Sequence, residues 1–181
     1  MRIYHAEFPR DSRLSIAHIR SLLKEGDYQL IVAEEHGQVL GFALIWLCRQ
    51  PAFVHLDYIA VERQWKGKGV GTALYRWLIT HLQDLLPRAS LVTLEVDAQL
   101  IAFYQRSQTR LLRDTPYVFP GPLGPVPMQL MVYDAQGRTE LDRRTVRGIM
   151  RALYCGLHQR PPTDASLRWC LSRVPAQIAL T

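Results

Sequence analysis

The run Val61-Glu62-Arg63-Gln64-Trp65-Lys66-Gly67-Lys68-Gly69-Val70-Gly71-Thr72-Ala73-Leu74 gathers residues suited to holding an anion. Gly67, Gly69 and Gly71 remove side chains where a loop turns into a helix, so the backbone N–H groups of residues 67–72 can approach and face a negative group. The helix that follows presents its positive N-terminal end to the same point. In physical terms this is a pyrophosphate site. It is not a Walker A loop, which needs Gly, four residues, then Gly-Lys-Ser/Thr, and it lacks the Gly-x-Gly-x-x-Gly spacing of a dinucleotide fingerprint. A few residues upstream, in His55-Leu56-Asp57-Tyr58-Ile59-Ala60-Val61, strand alternation places His55 and Asp57 on one face. An imidazole titrates near working pH, which suits proton transfer.

The elements that must position these groups follow from periodicity. Residues 1–6 alternate and predict a short first strand, after which Asp11 or Ser12 caps a helix carrying Leu14, Ile16, Ile19, Leu22 and Leu23, closed by Gly26. Residues 28–35 and 39–48 are rich in β-formers and joined by His36-Gly37-Gln38, which predicts an antiparallel hairpin. A strand over 52–61 leads into the glycine loop, followed by a helix from about Thr72 to Leu86, a strand over 91–96 and a helix over about 98–108. Residues 111–119 and 128–134 read as strands around the proline-rich turn PGPLGPVP. In the tail, Thr139 and Asp142 resemble a capping box ahead of a stripe formed by Val146, Ile149, Met150, Leu153 and Leu157. Pro161-Pro162 stop that helix, and Leu167, Cys170, Leu171 and Val174 repeat the spacing. An apolar stripe needs cover, so this pair is expected to pack on the main domain or on a second copy of the chain.

At this point the sequence resembles the GCN5-related N-acetyltransferases (GNAT). Lys66-Gly67-Lys68-Gly69-Val70-Gly71 matches the family's Gln/Arg-x-x-Gly-x-Gly/Ala motif, with Lys66 in place of Gln or Arg, and leads into the helix through Thr72-Ala73-Leu74. Asp97-Ala98-Gln99-Leu100-Ile101-Ala102-Phe103-Tyr104 is similar to the family's second cofactor segment, with Asp97 replacing the usual Asn and Ser107-Gln108-Thr109 replacing the common Leu-Gly-Phe continuation. The string around His55 is similar to the His-Leu-His strand of arylalkylamine acetyltransferases. The element order of residues 1–134 also follows the family. The resemblance implies an α/β fold of the α+β type: a mixed, mostly antiparallel sheet, splayed near the cofactor, with helices on both faces. Residues 1–134 would form this domain and residues 135–181 a helical, basic C-terminal extension.

The implied chemistry is transfer of an acetyl group from acetyl-CoA to an amine. Acetyl-CoA is expected on Ile59, Ala60, Val61, Lys66, Gly67, Lys68, Gly69, Val70, Gly71, Thr72, Asp97 and Tyr104, with main-chain N–H groups near Ile59 to Val61 polarising the thioester carbonyl. The amine must be neutral to attack, and the departing sulfur needs a proton. His55 is the leading base, Asp57 or Glu95 the alternatives, and Tyr104 the acid. Direct attack in a ternary complex is expected, because Cys48, Cys155 and Cys170 lie away from the motif segments. Two rivals stand beside this reading: modification of a macromolecule, such as a protein lysine or an aminoacyl-tRNA, and an acyl-CoA sensor without chemistry.

Composition bounds these expectations. The chain has 181 residues, 48% of them hydrophobic and 21% charged, and no apolar run of membrane-spanning length. Nothing at the N-terminus marks it for export, and three scattered cysteines fit a reducing, cytoplasmic setting with no disulfide and no metal site. Of the formal charge of +6, most sits in residues 135–181, where 8 Lys+Arg face 3 Asp+Glu. These arginines recur at helical intervals without interleaved aromatics, so a solvated helix face is expected rather than nucleic-acid binding. The expected partner is a small-molecule or peptide amine. Its pocket is expected from residues 8–27 and 111–134, and the tail is expected to cover that pocket or form a homodimer interface.

Overall fold

His36 and Gly37 both adopt positive φ, 48° and 77°, the pair of left-handed residues that closes a two-residue hairpin without splaying its strands. They join β1 (Tyr28–Glu35) to β2 (Gln38–Arg49), which pairs in turn with β3 (Ala52–Val61), all antiparallel as expected. The chain is described here by a computed structural model covering residues 2–9 and 13–181. From β3 it passes through the glycine loop into α3 (Val70–Thr80) and α4 (Leu82–Leu85), then into β4 (Leu91–Val96), which lies parallel to β3. The helix expected over 72–86 is thus broken at His81, where the Thr80 hydroxyl donates to the carbonyls of Arg76 and Trp77. A 3₁₀ turn and α5 (Ile101–Gln105) lead to β5 (Arg110–Leu111), β6 (Tyr117–Gly121) and β7 (Gly124–Asp134). The main sheet runs β1-β2-β3-β4-β7-β5, with β6 on the remaining part of β7.

Two expectations near the N-terminus are corrected. Residues Arg2–Glu7 form a helix, α1, and not a strand. Six residues cannot separate the two periods, and a helical turn lets Tyr4 and Phe8 meet each other and Tyr58, with ring centroids 5.5, 5.0 and 4.8 Å apart. Asp11 and Ser12 lie outside the described residues. The next helix, α2 (Ile16–Glu25), is capped by Ser15, whose hydroxyl accepts from His18 N, and ends at Gly26 with φ 84°.

The PGPLGPVP segment is mostly paired strand: Pro120 faces Pro125 and Gly121 faces Gly124, leaving Pro122-Leu123 as the turn. In the tail, Asp142 itself is the N-cap, accepting from Thr145 N, and Thr139 precedes β8 (Glu140–Asp142). Helix α6 (Arg143–Ala152) continues as a π-helical turn over Leu153–Leu157, α7 spans Ala165–Arg173, and an unforeseen strand β9 (Gln177–Ala179) pairs with β8.

The sheet buries one cluster on each face. Helices α3, α4 and α5 close one of them: Tyr75, Leu78, Leu82 and Tyr104 pack with Val54, Leu56, Val92 and Leu94. On the other face Tyr4, Ile19 and Leu22 of α1 and α2 join a single cluster with Phe53, Tyr58, Tyr117, Val146, Ile149, Met150, Leu153 and Leu157. The tail stripe therefore packs on the sheet. Its end is also stitched by backbone, since Leu111 and Thr181 exchange hydrogen bonds of 2.6 and 3.1 Å.

Candidate active site

Strands β3 and β4 pair only from Val54↔Val92 to Leu56↔Leu94, although β3 continues to Val61 and β4 to Val96. Beyond that point their facing backbone edges have no ladder partner among the described residues, and a cavity of about 690 Å³ opens between them. The separation begins at a β-bulge: Leu44 pairs with Tyr58 and Ile45 with Leu56, so Asp57 has no partner on β2. A bulge re-aims side chains, and here Asp57 and the adjacent Tyr58 both face the α1/α2 side. Asp57, Ile59, Lys66, Glu95, Asp97 and Tyr104 line the cavity, together with Phe8, Phe119 and Met128.

The glycine loop starts at Lys66, which lies in the wall of this cavity. Gly67 and Gly69 have φ of 76° and 85°, a region that only glycine enters without strain, and a Cβ at either would meet nothing within 4 Å. Gly69 caps α3 and its carbonyl takes Ala73 N. Among the described residues the amides of Gly67, Gly69, Val70, Gly71 and Thr72 make no backbone hydrogen bond, whereas Lys68 N donates to Trp65 O. Five free N–H groups around a helix N-terminus are a fit for a pyrophosphate. The lysines add little free charge: Lys66 Nζ pairs with Glu7 of α1, and Lys68 stacks over Trp65 at 4.5 Å. Ala60 and Val61 lie against Phe42 and Gly41 of β2, and at Gly41 a Cβ would sit 2.7 Å from Ala60 O, so the strands approach there only because residue 41 is glycine.

His55, Asp57 and Glu95 form one cluster. His55 is wholly buried; its Nδ1 lies 2.9 Å from Thr93 Oγ1, while its Nε2 has no hydrogen-bond partner among the described residues and sits 3.7 Å from Glu95 Oε2. His55 is absent from the cavity wall, so Glu95 stands between it and the open space. Glu95, its side chain 5% exposed, accepts from the Tyr117 hydroxyl and meets His158 Nε2 at 3.1 and 3.2 Å through its two oxygens. Asp57 accepts from the Tyr28 hydroxyl. Ligand atoms of His55, Asp57 and Glu95 all lie within 4.8 Å of one another.

These contacts set the protonation states. Burial on its own would raise the Glu95 pKa, but His158 and then His55 override it and hold the carboxyl well below the carboxylate range. Burial pulls His158 down, yet the charge of Glu95 outweighs it, and the imidazole pKa ends above its ordinary value. Glu95 and His158 are therefore a buried ion pair. Asp57 behaves differently: burial raises its pKa, and the histidines and Tyr28 only partly offset this. Tyr104, packed on Tyr75 and Phe103 at 5.1 and 4.9 Å, is raised by burial alone, so its hydroxyl keeps its proton.

Sequence reasoning missed His158, Tyr117, Tyr28 and Thr93. No local pattern marks them: His158 follows Leu157 at the end of the tail stripe, and its partner is 63 residues away.

Comparison with known proteins follows the same lines. The acetyltransferase (GNAT) family pattern matches residues 1–108. A curated relative, an uncharacterized protein of Dictyostelium discoideum, is 28% identical over 107 residues; the match covers 59% of this chain and 24% of the relative, so this chain corresponds to about a quarter of that protein. Among solved structures, a putative GNAT acetyltransferase of Bacteroides thetaiotaomicron superposes with a TM-score of 0.70, at 23% identity, over 88% of this chain and 90% of that one. The ribosomal-protein-S18-alanine N-acetyltransferase of Escherichia coli gives 0.56 at 23% identity over 74% and 84%. The putative acetyltransferase yncA of Salmonella typhimurium, solved with acetyl-CoA, gives 0.56 at 18% over 75% and 83%.

Proposed function

From the premise that this chain belongs to the acetyltransferase (GNAT) family, we propose that it transfers an acetyl group from acetyl-CoA to a primary amine by direct attack. The observation that carries the reading is the cavity in the β3/β4 splay, which has Asp57, Glu95 and Tyr104 in its wall and reaches Lys66, the residue that opens the glycine loop. Acetyl-CoA would supply the activated acyl carbon, its pyrophosphate lying on the amides of Gly67, Gly69, Val70, Gly71 and Thr72. Asp57 and Glu95 attract the ammonium form of the acceptor, which gives up one proton to solvent to become the neutral amine that attacks. Asp57, the carboxyl with the raised pKa, takes the amine proton as the C–N bond forms, and Tyr104 gives its proton to sulfur as the C–S bond breaks. His55 and His158 act through Glu95, holding its charge and orientation. Cys48 is no rival nucleophile, since burial pushes its thiol up to about 11.

In this reading residues 1–134 carry the transfer domain and residues 135–181 an extension that delivers His158. Among the described residues no helix is long and apolar enough to cross a membrane, and Cys48, Cys155 and Cys170 are free thiols, which supports a reducing, cytoplasmic setting. The test is thiol release from acetyl-CoA across a panel of amines. Turnover should fall about 100-fold in Tyr104→Phe with KM for acetyl-CoA little changed. Tight acetyl-CoA binding without turnover on any amine would replace this reading with that of a sensor.

A further inference from the structure

A second, smaller cavity of about 140 Å³ adjoins the first, sharing Tyr58 and Phe119 as a common wall. Its polar lining is basic: Arg13, His158 and Arg160. Arg13 Nη1 lies 2.5 Å from the ring Nδ1 of His5 and 3.5 Å from its carbonyl oxygen, its hydrogen-bond partners among the described residues. Arg160 Nη2 donates to the carbonyls of Pro120 and Gly121, both at 3.0 Å, which holds the guanidinium against the β6–β7 turn. Among the described residues neither arginine pairs with a carboxylate. His158 is the third donor: its side chain is 5% exposed, Nε2 faces Glu95, and Nδ1 has no hydrogen bond among the described residues. Part-buried cations around a small space favour an anion there, and guanidinium favours a planar carboxylate.

We propose that this side cavity is the acceptor's carboxylate subsite, so that the substrate is a small amine bearing a carboxylate several bonds away. The ammonium sits at Asp57 and Glu95, and the carboxylate meets Arg13, Arg160 and His158 Nδ1. The imidazole of His158 separates the two sites, one nitrogen toward each, so an α-amino acid is too short and a longer ω-amino acid spans them. Tyr58, Phe119 and the ring of Pro122 contact the spacer. The ammonium placement rests on the acetyl-transfer reading; the carboxylate placement does not.

The test is calorimetric titration of the full chain, saturated with CoA, using glycine, 4-aminobutanoate and 6-aminohexanoate beside the corresponding amides. A longer acid is expected to bind at least about 10-fold tighter than its amide, and Arg13→Gln and Arg160→Gln should each close that gap about 10-fold while leaving amide affinity unchanged. Among the described residues Arg13 hydrogen-bonds only to His5, so its variant answers the question even if Arg160→Gln loosens the turn. Equal affinity for acid and amide, no binding of any acid at 10 mM, or a preference that survives both substitutions would overturn the subsite. Turnover on the same panel separates the two claims: acids that bind selectively but are not acetylated support the subsite and overturn acetyl transfer.

Discussion

From Lys66 to Thr72 the site is built of backbone from consecutive residues, whereas the cluster around Glu95 is built of side chains from β1, β3, β4, β6 and the segment after α6. The loop needs only glycines at the right φ and a helix start, and neither depends on distant partners. The cluster needs its partners present, because the charge of Glu95 is held by His158 and both carboxylates take hydrogen bonds from tyrosines. Losing one glycine should therefore damage one property, cofactor binding, while losing one member of the cluster should disturb protonation, orientation and stability together.

The largest effect is expected where the two regions meet at the reacting centre. Asp57→Asn should lower kcat by about 10²–10⁴-fold and leave acetyl-CoA affinity nearly unchanged, measured by single-turnover kinetics and calorimetry. Next comes the cluster's remote anchor. His158→Leu leaves Glu95 without its main counter-charge and should cost about 3–5 kcal/mol in urea unfolding at pH 6. Its pH course is fixed by sign. The folded-state pKa of His158 is raised, so its stabilisation is complete below about 6.5 and disappears as pH rises through that higher value. Glu95 is depressed, so its share holds above about 4.3 and disappears as pH falls through its folded value. The gap between wild type and variant should be widest between these limits and narrow on the alkaline side.

On the loop, Gly69→Glu places a carboxylate and a strained residue where φ is 85°, and acetyl-CoA affinity should fall on the order of 100-fold, about 2.7 kcal/mol, with unfolding affected far less. The smallest effect belongs to Lys66→Gln. Because Lys66 is already paired with Glu7, affinity for acetyl-CoA should change by less than about 5-fold, within the ~1 kcal/mol typical of a half-exposed ion pair. A larger loss would mean that Lys66 leaves Glu7 for the phosphate when the cofactor binds.

Residue order was enough for the hairpin at His36-Gly37, the strand–loop–helix around Gly67 and Gly69, and the apolar stripe from Val146 to Leu157, since each is written in turn chemistry or a period that neighbouring residues enforce. It placed His55 and Asp57 on one face and Glu95 on the next strand in sequence, which the structure pairs with theirs. It misread Arg2–Glu7, where six residues fit either period and aromatic packing on Tyr58 decided for helix. What only the tertiary structure decided is the state of the acid–base groups. That His55 lies behind Glu95, that Asp57 is freed by a bulge, and that a tail histidine neutralises Glu95 all depend on burial and on contacts between residues far apart in sequence. Desolvation and Coulomb terms act through space, so no local pattern in the chain could encode them.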